Sequence, residues 1–232
     1  MNEVPIWPAK LTREQQKAAK QRRNDFNAAL KRGAKAAGWR FAGGYVFRQS
    51  GDWFISILCT LLWERGVWVC IMIKPMALDA LFWDIVGLSE NESLPLSFRA
   101  NGAWVLRTRQ VEDYTALDVT EVDQLAAHVF EWGNRGADEI LSIISVKMML
   151  RELSLEMPVR GQSRALAICL TILAGYLEEA MQLCRPDDPD MHPQMGDWGG
   201  FNTINPDGSY STFLDQARDW IARKRRDELT VV

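Results

Sequence analysis

The chain has 232 residues, 47% hydrophobic and 25% charged, with a formal net charge of −3. That is ordinary globular composition, enough for one large domain or two small ones. Its longest strongly apolar stretches, Trp53–Trp63 and Ala165–Tyr176, fall short of the roughly 18 residues a helical membrane span needs, and Met1–Lys10 carries two prolines and no apolar leader core, so a cytoplasmic protein with no membrane partner is expected.

A helix is predicted from Thr12-Arg-Glu-Gln15, a capping-box pattern. It runs to about Ala37, with Gly38 as its left-handed stop. Ala19, Phe26, Leu30, Ala34 and Ala37 give it a narrow buried stripe. The segment is strongly basic. Residues 10 to 40 hold ten basic and two acidic side chains, a net +8 that leaves −11 on the rest of the chain. Such a split indicates an electrostatic partner or a basic helix docked on an acidic body.

Three strands follow. Trp39, Phe41, Tyr45 and Phe47 alternate in the first, with Gly43-Gly44 read as a bulge or a close backbone approach. Ser50-Gly51-Asp52 is a turn. In the second strand Trp53, Ile55, Ile57, Cys59, Leu61 and Trp63 occupy odd positions, and in the third Val67, Val69, Ile71 and Ile73 do so. Glu64-Arg65-Gly66 suits a three-residue hairpin. That loop pairs odd with odd, which places Cys59 and Cys70 on opposite faces and argues against a disulfide between them.

Pro75 closes the third strand, since it cannot donate in a ladder. A short helix of about Ala77 to Val86 follows, then a polar loop, Ser89–Pro95. Leu96–Ala100 and Ala103–Arg109 flank Asn101-Gly102 and read as a hairpin. From Thr120 helical periodicity runs to about Leu155, with a break expected near Gly133–Gly136. Ser163–Cys184 reads as one apolar helix. Residues 185–210 form an irregular loop rich in Pro, Gly and Asp. A final helix, about Ser211 to Asp227, sets Phe213, Ala217, Trp220 and Ile221 on one face. The expected fold is α+β: an antiparallel sheet of about five strands covered by helices, in the order α-β-β-β-α-β-β-α, over residues 1–118. An α-helical region, 119–232, packs on it.

Few residues offer chemistry. Lys74 ends a strand and precedes Asp79 and Asp84, so a lysine–carboxylate pair at this corner is one candidate site. The plainer reading makes Asp79 a helix-start charge favoured by the dipole, among packing residues. Asp187, Asp190 and His192 are weak metal candidates whose spacing suits no known loop, and no metal or cofactor is expected. None of the four cysteines forms a CxxC pair, and no nucleotide, zinc-protease or serine-hydrolase motif occurs. On the basic helix, Arg22, Arg23, Lys31 and Arg32 are candidate contacts. Its basic residues are not interleaved with aromatics and the whole chain has a pI near 5.5, so nucleic acid is the lesser reading, and a solvated face or an acidic protein partner the better one. Phe54 and Trp68, on the face opposite the expected core, could form a contact patch.

From Phe26 to about Ile140 the chain resembles a bacterial domain family of unknown function met beside toxin–immunity genes. The resemblance lies in a helix, Gly38-Trp39, an aromatic strand ending Arg48-Gln-Ser-Gly-Asp52, two apolar strands and the Asn101-Gly102 hairpin. The element order also resembles the small acidic chaperones of type III secretion. Both resemblances imply protein binding. The function expected is therefore an immunity or inhibitor protein that binds and neutralises a cognate toxin or effector. An enzyme with a site near the 74–84 corner, or a nucleic-acid-binding protein using the basic helix, are the alternatives.

Overall fold

The computed structural model describes residues 11–61, 67–100, 104–106, 109–114, 121–155, 162–185, 203–204 and 210–230. The protein is α+β, with an antiparallel sheet and seven α-helices among the described residues. It divides into two compact units that interleave along the chain. One comprises Met1–Ser50, Phe54–Ile73 and Arg109–Ser142; the other comprises Gly51–Trp53, Lys74–Thr108 and Ile143–Val232.

The first unit opens with α1 (Arg13–Ala34). Thr12 caps it as the sequence predicts: its hydroxyl accepts from Gln15 N at 3.2 Å, and Gln15 Oε1 accepts from Thr12 N at 2.9 Å. The helix ends three residues before the expected Ala37. Gly38 takes the left-handed conformation, φ +81°, and Trp39 N donates back to Ala34 O at 2.8 Å. Phe26, Ala29, Leu30 and Ala34 are buried, close to the predicted stripe.

The expected first strand is two strands. β1 (Arg40–Ala42) and β2 (Tyr45–Ser50) pair antiparallel with Ala42 opposite Tyr45. Gly43 and Gly44, at φ +59° and +84°, are the two central residues of that hairpin rather than a bulge, because a tight two-residue turn needs positive φ at both positions. β3 (Trp53–Leu61) and β4 (Val67–Pro75) follow, and β5 (Arg109–Tyr114) pairs with β4 across a register shift between Ile71 and Met72. The order is β1-β2-β3-β4-β5. Four strands of six to nine residues make the sheet and β1 is a three-residue edge strip, so the sheet has one full strand fewer than the five expected. The loss has a local cause. Leu96–Arg99 is a 3-10 turn, Trp104 and Val105 are turn and bend, and Leu106 is irregular, so the described flanks of Asn101-Gly102 are not strands. The Asn101-Gly102 turn itself, and the Glu64-Arg65-Gly66 turn with Trp63, lie outside the described residues.

The odd positions of β4 behave as predicted: Val67, Val69, Ile71 and Ile73 are each at most 1% exposed. On β3, however, Phe54 through Ile57 are all buried, so both faces of the strand are covered and the simple alternation fails. Part of that cover is α3 (Val122–Leu141), which packs against α1. It runs unbroken through Gly133 and Gly136. Gly133 is there because a Cβ at that point would collide with Ile57 Cδ1, and one at Gly33 of α1 would lie 2.8 Å from Phe130 Cε2. The glycines permit close approach between α1, α3 and the sheet; the predicted break falls later, at Ser142–Ser145.

The second unit gathers α2 (Met76–Ile85), the 3-10 turns Ser89–Ser93 and Leu96–Arg99, α4 (Val146–Leu155), α5 (Gln162–Leu173), α6 (Leu177–Leu183) and α7 (Phe213–Thr230). The expected single helix over Ser163–Cys184 is interrupted at Gly175, φ +87°, which separates α5 from α6. One core joins Leu78, Phe82 and Trp83 of α2 to Ile168, Cys169 and Ile172 of α5 and to Phe213, Ala217, Trp220 and Ile221 of α7. The predicted face of α7 is thus the face it buries.

Candidate functional site

β4 ends at Lys74-Pro75 and α2 starts at once, because Pro75 has no N–H to continue the ladder and serves as the residue before the helix. That sharp corner brings Lys74 and Asp79 together. Lys74 Nζ donates to Asp79 Oδ1 at 3.0 Å and lies 2.8 Å from Oδ2; it also donates to the carbonyl of Leu106 at 2.8 Å. Asp79 Oδ1 accepts from Leu106 N at 3.1 Å. A third charge completes the group. Arg99 Nη1 donates to Asp79 Oδ2 at 3.3 Å and to Met76 O at 3.2 Å, and its guanidinium stacks 4.6 Å above the Trp83 ring. The Trp83 indole N–H in turn donates to Trp104 O.

Lys74 and Asp79 are both 0% exposed, and Arg99 only 6%. This corrects the plainer reading of the corner: Asp79 does sit in the first turn of α2, but it serves a buried network rather than a solvated helix start. Burial pushes the Lys74 amine below the ordinary lysine value of 10.5, against the pull of Asp79, with Arg99 pushing the same way as burial. The Cys169 thiol of α5 is pushed up by burial, and further by the charge of Asp79. Chemically the cluster is closed. The carboxylate accepts from an amine, a guanidinium and a backbone N–H, while the amine spans a carboxylate and a carbonyl. Neither side chain presents surface to a substrate. What the arrangement does is tie the end of β4, the first turn of α2, the 96–99 turn and the 104–106 segment to one point.

The other candidates fall in different places. Asp84 is exposed and outside the cluster; its carboxylate accepts from Trp220 Nε1 at 2.7 Å and from Ser89 Oγ at 3.3 Å, linking α2 to α7. Phe54 is 0% exposed and stacks on Phe47 with ring centroids 5.9 Å apart, so it belongs to the interior and not to a contact patch. Trp68 is half-buried. Asp187, Asp190 and His192 lie outside the described residues. All four cysteines are free, in keeping with the register argument against a Cys59–Cys70 bridge.

On α1, Arg23, Lys31 and Arg32 are exposed and Arg22 is half-buried. Arg32 is paired with Asp123 of α3 at 2.5 Å. A different set stands apart. Arg13, Lys17, Lys20, Lys31 and Lys35 are all exposed, and none makes an ion pair or a side-chain hydrogen bond among the described residues. Their spacing of three, four and eleven residues puts them along one side of the helix, away from the buried Phe26, Ala29 and Leu30. At about 1.5 Å per residue the row is roughly 33 Å long. Glu14 and Asp25, the only acids of α1, lie off it.

Comparison with protein-family models, with curated proteins and with solved structures finds no match.

Arg99 carries no signal in the sequence, whereas the cationic row on α1 does. The segment of Arg99, Leu96–Ala100, reads as a strand, whereas it folds as a 3-10 turn from which Arg99 reaches Asp79. The row on α1 is legible, because helical spacing alone aligns Arg13, Lys17, Lys20, Lys31 and Lys35; of the expected contacts Arg22, Arg23, Lys31 and Arg32, only Lys31 lies on it.

Proposed function

We propose that the protein is an interaction module of the immunity or inhibitor kind, which binds a cognate toxin or effector protein through the exposed cationic side of α1. The observation that supports this best is a contrast in how charge is used. At the 74–84 corner, Lys74 and Asp79 are buried and occupied with one another and with Arg99 and Leu106. On α1 five cations are exposed and have no side-chain partner among the described residues. Lys17 follows Arg13, and Lys35 follows Lys31, at the four-residue spacing where like charges repel, about 0.2–0.5 kcal/mol per pair. An anionic surface laid on the row removes that repulsion and gains Coulomb attraction, chiefly as a faster association rate and as specificity.

The test is affinity capture from native lysate with the wild-type chain and with the charge-reversed K17E/K20E/K31E variant as baits. The reading expects one protein retained stoichiometrically by the wild type, released by raised salt and lost from the variant. A wild-type bait that retains no protein contradicts it.

A further inference from the structure

The row on α1 has a finer pattern than its charge. Arg13, Lys17, Lys20, Asn24, Asn27 and Lys31 recur at alternating steps of four and three residues, and Lys35 extends the line. That is a 3.5-residue repeat, the spacing by which one helix keeps a continuous seam against another lying almost parallel to it. In this seam every position is polar. Cations occupy both ends, and the two amides, Asn24 and Asn27, occupy the middle. Asn24 is exposed and Asn27 half-buried.

We propose that this seam is the seat of an acidic α-helix of the partner protein, laid along α1 with carboxylates against both cationic ends and polar groups against the two asparagines. The inference rests on the protein-binding reading above and names the chemistry of the partner at that same surface. Four comparisons of spacing and charge carry it. The cations step along the axis by about 6 and 4.5 Å at 1.5 Å per residue, and a helix with Glu at the same steps presents carboxylates at the same rise. A β-strand, rising about 3.3 Å per residue with side chains alternating in direction, brings one to a given face every 6.6 Å and loses register within a few contacts. A second copy of α1 would set two cationic rows face to face. A nucleic-acid duplex would meet phosphate-binding cations over only the roughly 33 Å of the row, on a chain whose remainder carries −11 and repels phosphate.

The test uses the full chain and fluorescence anisotropy with three probes. One is an Ala/Gln-based helical peptide with Glu at steps of four and three over eighteen residues. Another has the same composition with its glutamates scattered round the helix. The third is a 20-base-pair DNA duplex. The stepped peptide is expected to bind at least ten-fold more tightly than the scattered one, to weaken as salt rises from 50 to 200 mM, and to lose at least ten-fold with K17E/K20E/K31E. The milder K17Q/K20Q/K31Q variant serves if circular dichroism shows the reversal to be misfolded. Equal binding of the two peptides, or tighter binding of DNA than of the stepped peptide, overturns the proposal. If the peptides fail while the native partner is still lost on charge reversal, the helical seat falls and the binding reading stands. If charge reversal leaves the native partner bound, both fall.

Discussion

Removing one carboxylate from the buried cluster should cost far more than removing a surface charge. Asp79→Ala leaves Lys74 and Arg99 buried, at 0% and 6% exposure, without their shared anion, and leaves Leu106 N without its acceptor. Breaking a buried ion pair from one side costs about 3–5 kcal/mol, whereas exposed pairs are worth about 0–1. That is a large part of the 5–15 kcal/mol that holds a typical domain folded. At roughly 2–4 °C per kcal/mol for a chain of this size, the melting temperature should fall by about 6–20 °C. A second variant separates charge from packing. Lys74→Met/Asp79→Leu/Arg99→Met removes all three charges together, and although Met76 O and the backbone of Leu106 lose partners, no uncompensated ion remains. It should therefore be more stable than Asp79→Ala despite carrying three substitutions. The assay is urea unfolding followed by circular dichroism, with midpoint and slope compared between variants. A loss below about 1 kcal/mol for Asp79→Ala, in the range of a solvated pair, or a triple variant less stable than the single one, would refute the description of the cluster as closed and dry.

The remaining predictions bear on the same packing. Gly133→Ala should destabilise by about 1–3 kcal/mol through overpacking against Ile57, and Ile57→Val, which deletes the colliding Cδ1, should restore part of the loss in the double variant; thermal melts of the three proteins decide it. Asn134 Oδ1 accepts from Trp39 Nε1 and from Arg48 Nη1, both at 2.9 Å, so Asn134→Ala should cost about 1–3 kcal/mol by stranding two donors, and a urea midpoint equal to wild type would contradict that. Burial holds the Cys59 thiol up at about 12 and the Cys184 thiol at about 11, against an ordinary 9.0. Below pH 9 these thiols are protonated in the folded and unfolded chains alike. Above it the unfolded chain ionises first, so their stabilisation is intact below about 9 and is lost as pH rises toward 11 to 12, by up to about 1.4 kcal/mol per pH unit per thiol. Lys74, depressed by burial, acts with the opposite sign just below 10.5. Comparison with Cys59→Ala/Cys184→Ala, which keeps Lys74, isolates the thiols: its alkaline loss should be shallower than that of the wild type.

Much of the architecture was legible because local signals and tertiary packing agree. Thr12 and Gln15 cap α1, Gly38 stops it, Pro75 ends β4, and the 213–217–220–221 face of α7 is buried. Where they disagreed, the sequence reading failed for definable reasons. Alternation on β3 predicts one wet face, yet Phe54 is buried along with Ile55, Ser56 and Ile57. Gly133 and Gly136 look like helix breakers in one dimension and prove to be contact points in three. Gly175 looks harmless inside an apolar run and breaks it. Asn101-Gly102 is a strong hairpin signal whose described flanks fold as a 3-10 turn and a bend. The site was half legible. Lys74 and Asp79 stand five residues apart across a strand–helix corner, but Arg99 and Leu106 reach them from a segment that no pattern connects to that corner. In the 3-10 turn Arg99 can point inward over Trp83, which strand periodicity could not foresee.

The charges of Lys74, Asp79 and Arg99 are locked inside, while those of Lys17, Lys20, Lys31 and Lys35 stand outside. Acetylation of the native protein with N-hydroxysuccinimide acetate, read lysine by lysine by mass spectrometry, tests both halves at once. Lys17, Lys20, Lys31 and Lys35 should be modified rapidly, and Lys74 only after unfolding in guanidinium. Because burial lowers the pKa of Lys74, a reachable Lys74 would be among the most reactive amines in the chain. Rapid modification of Lys74 in the folded protein would therefore contradict the account and return the 74–84 corner to consideration as an active site.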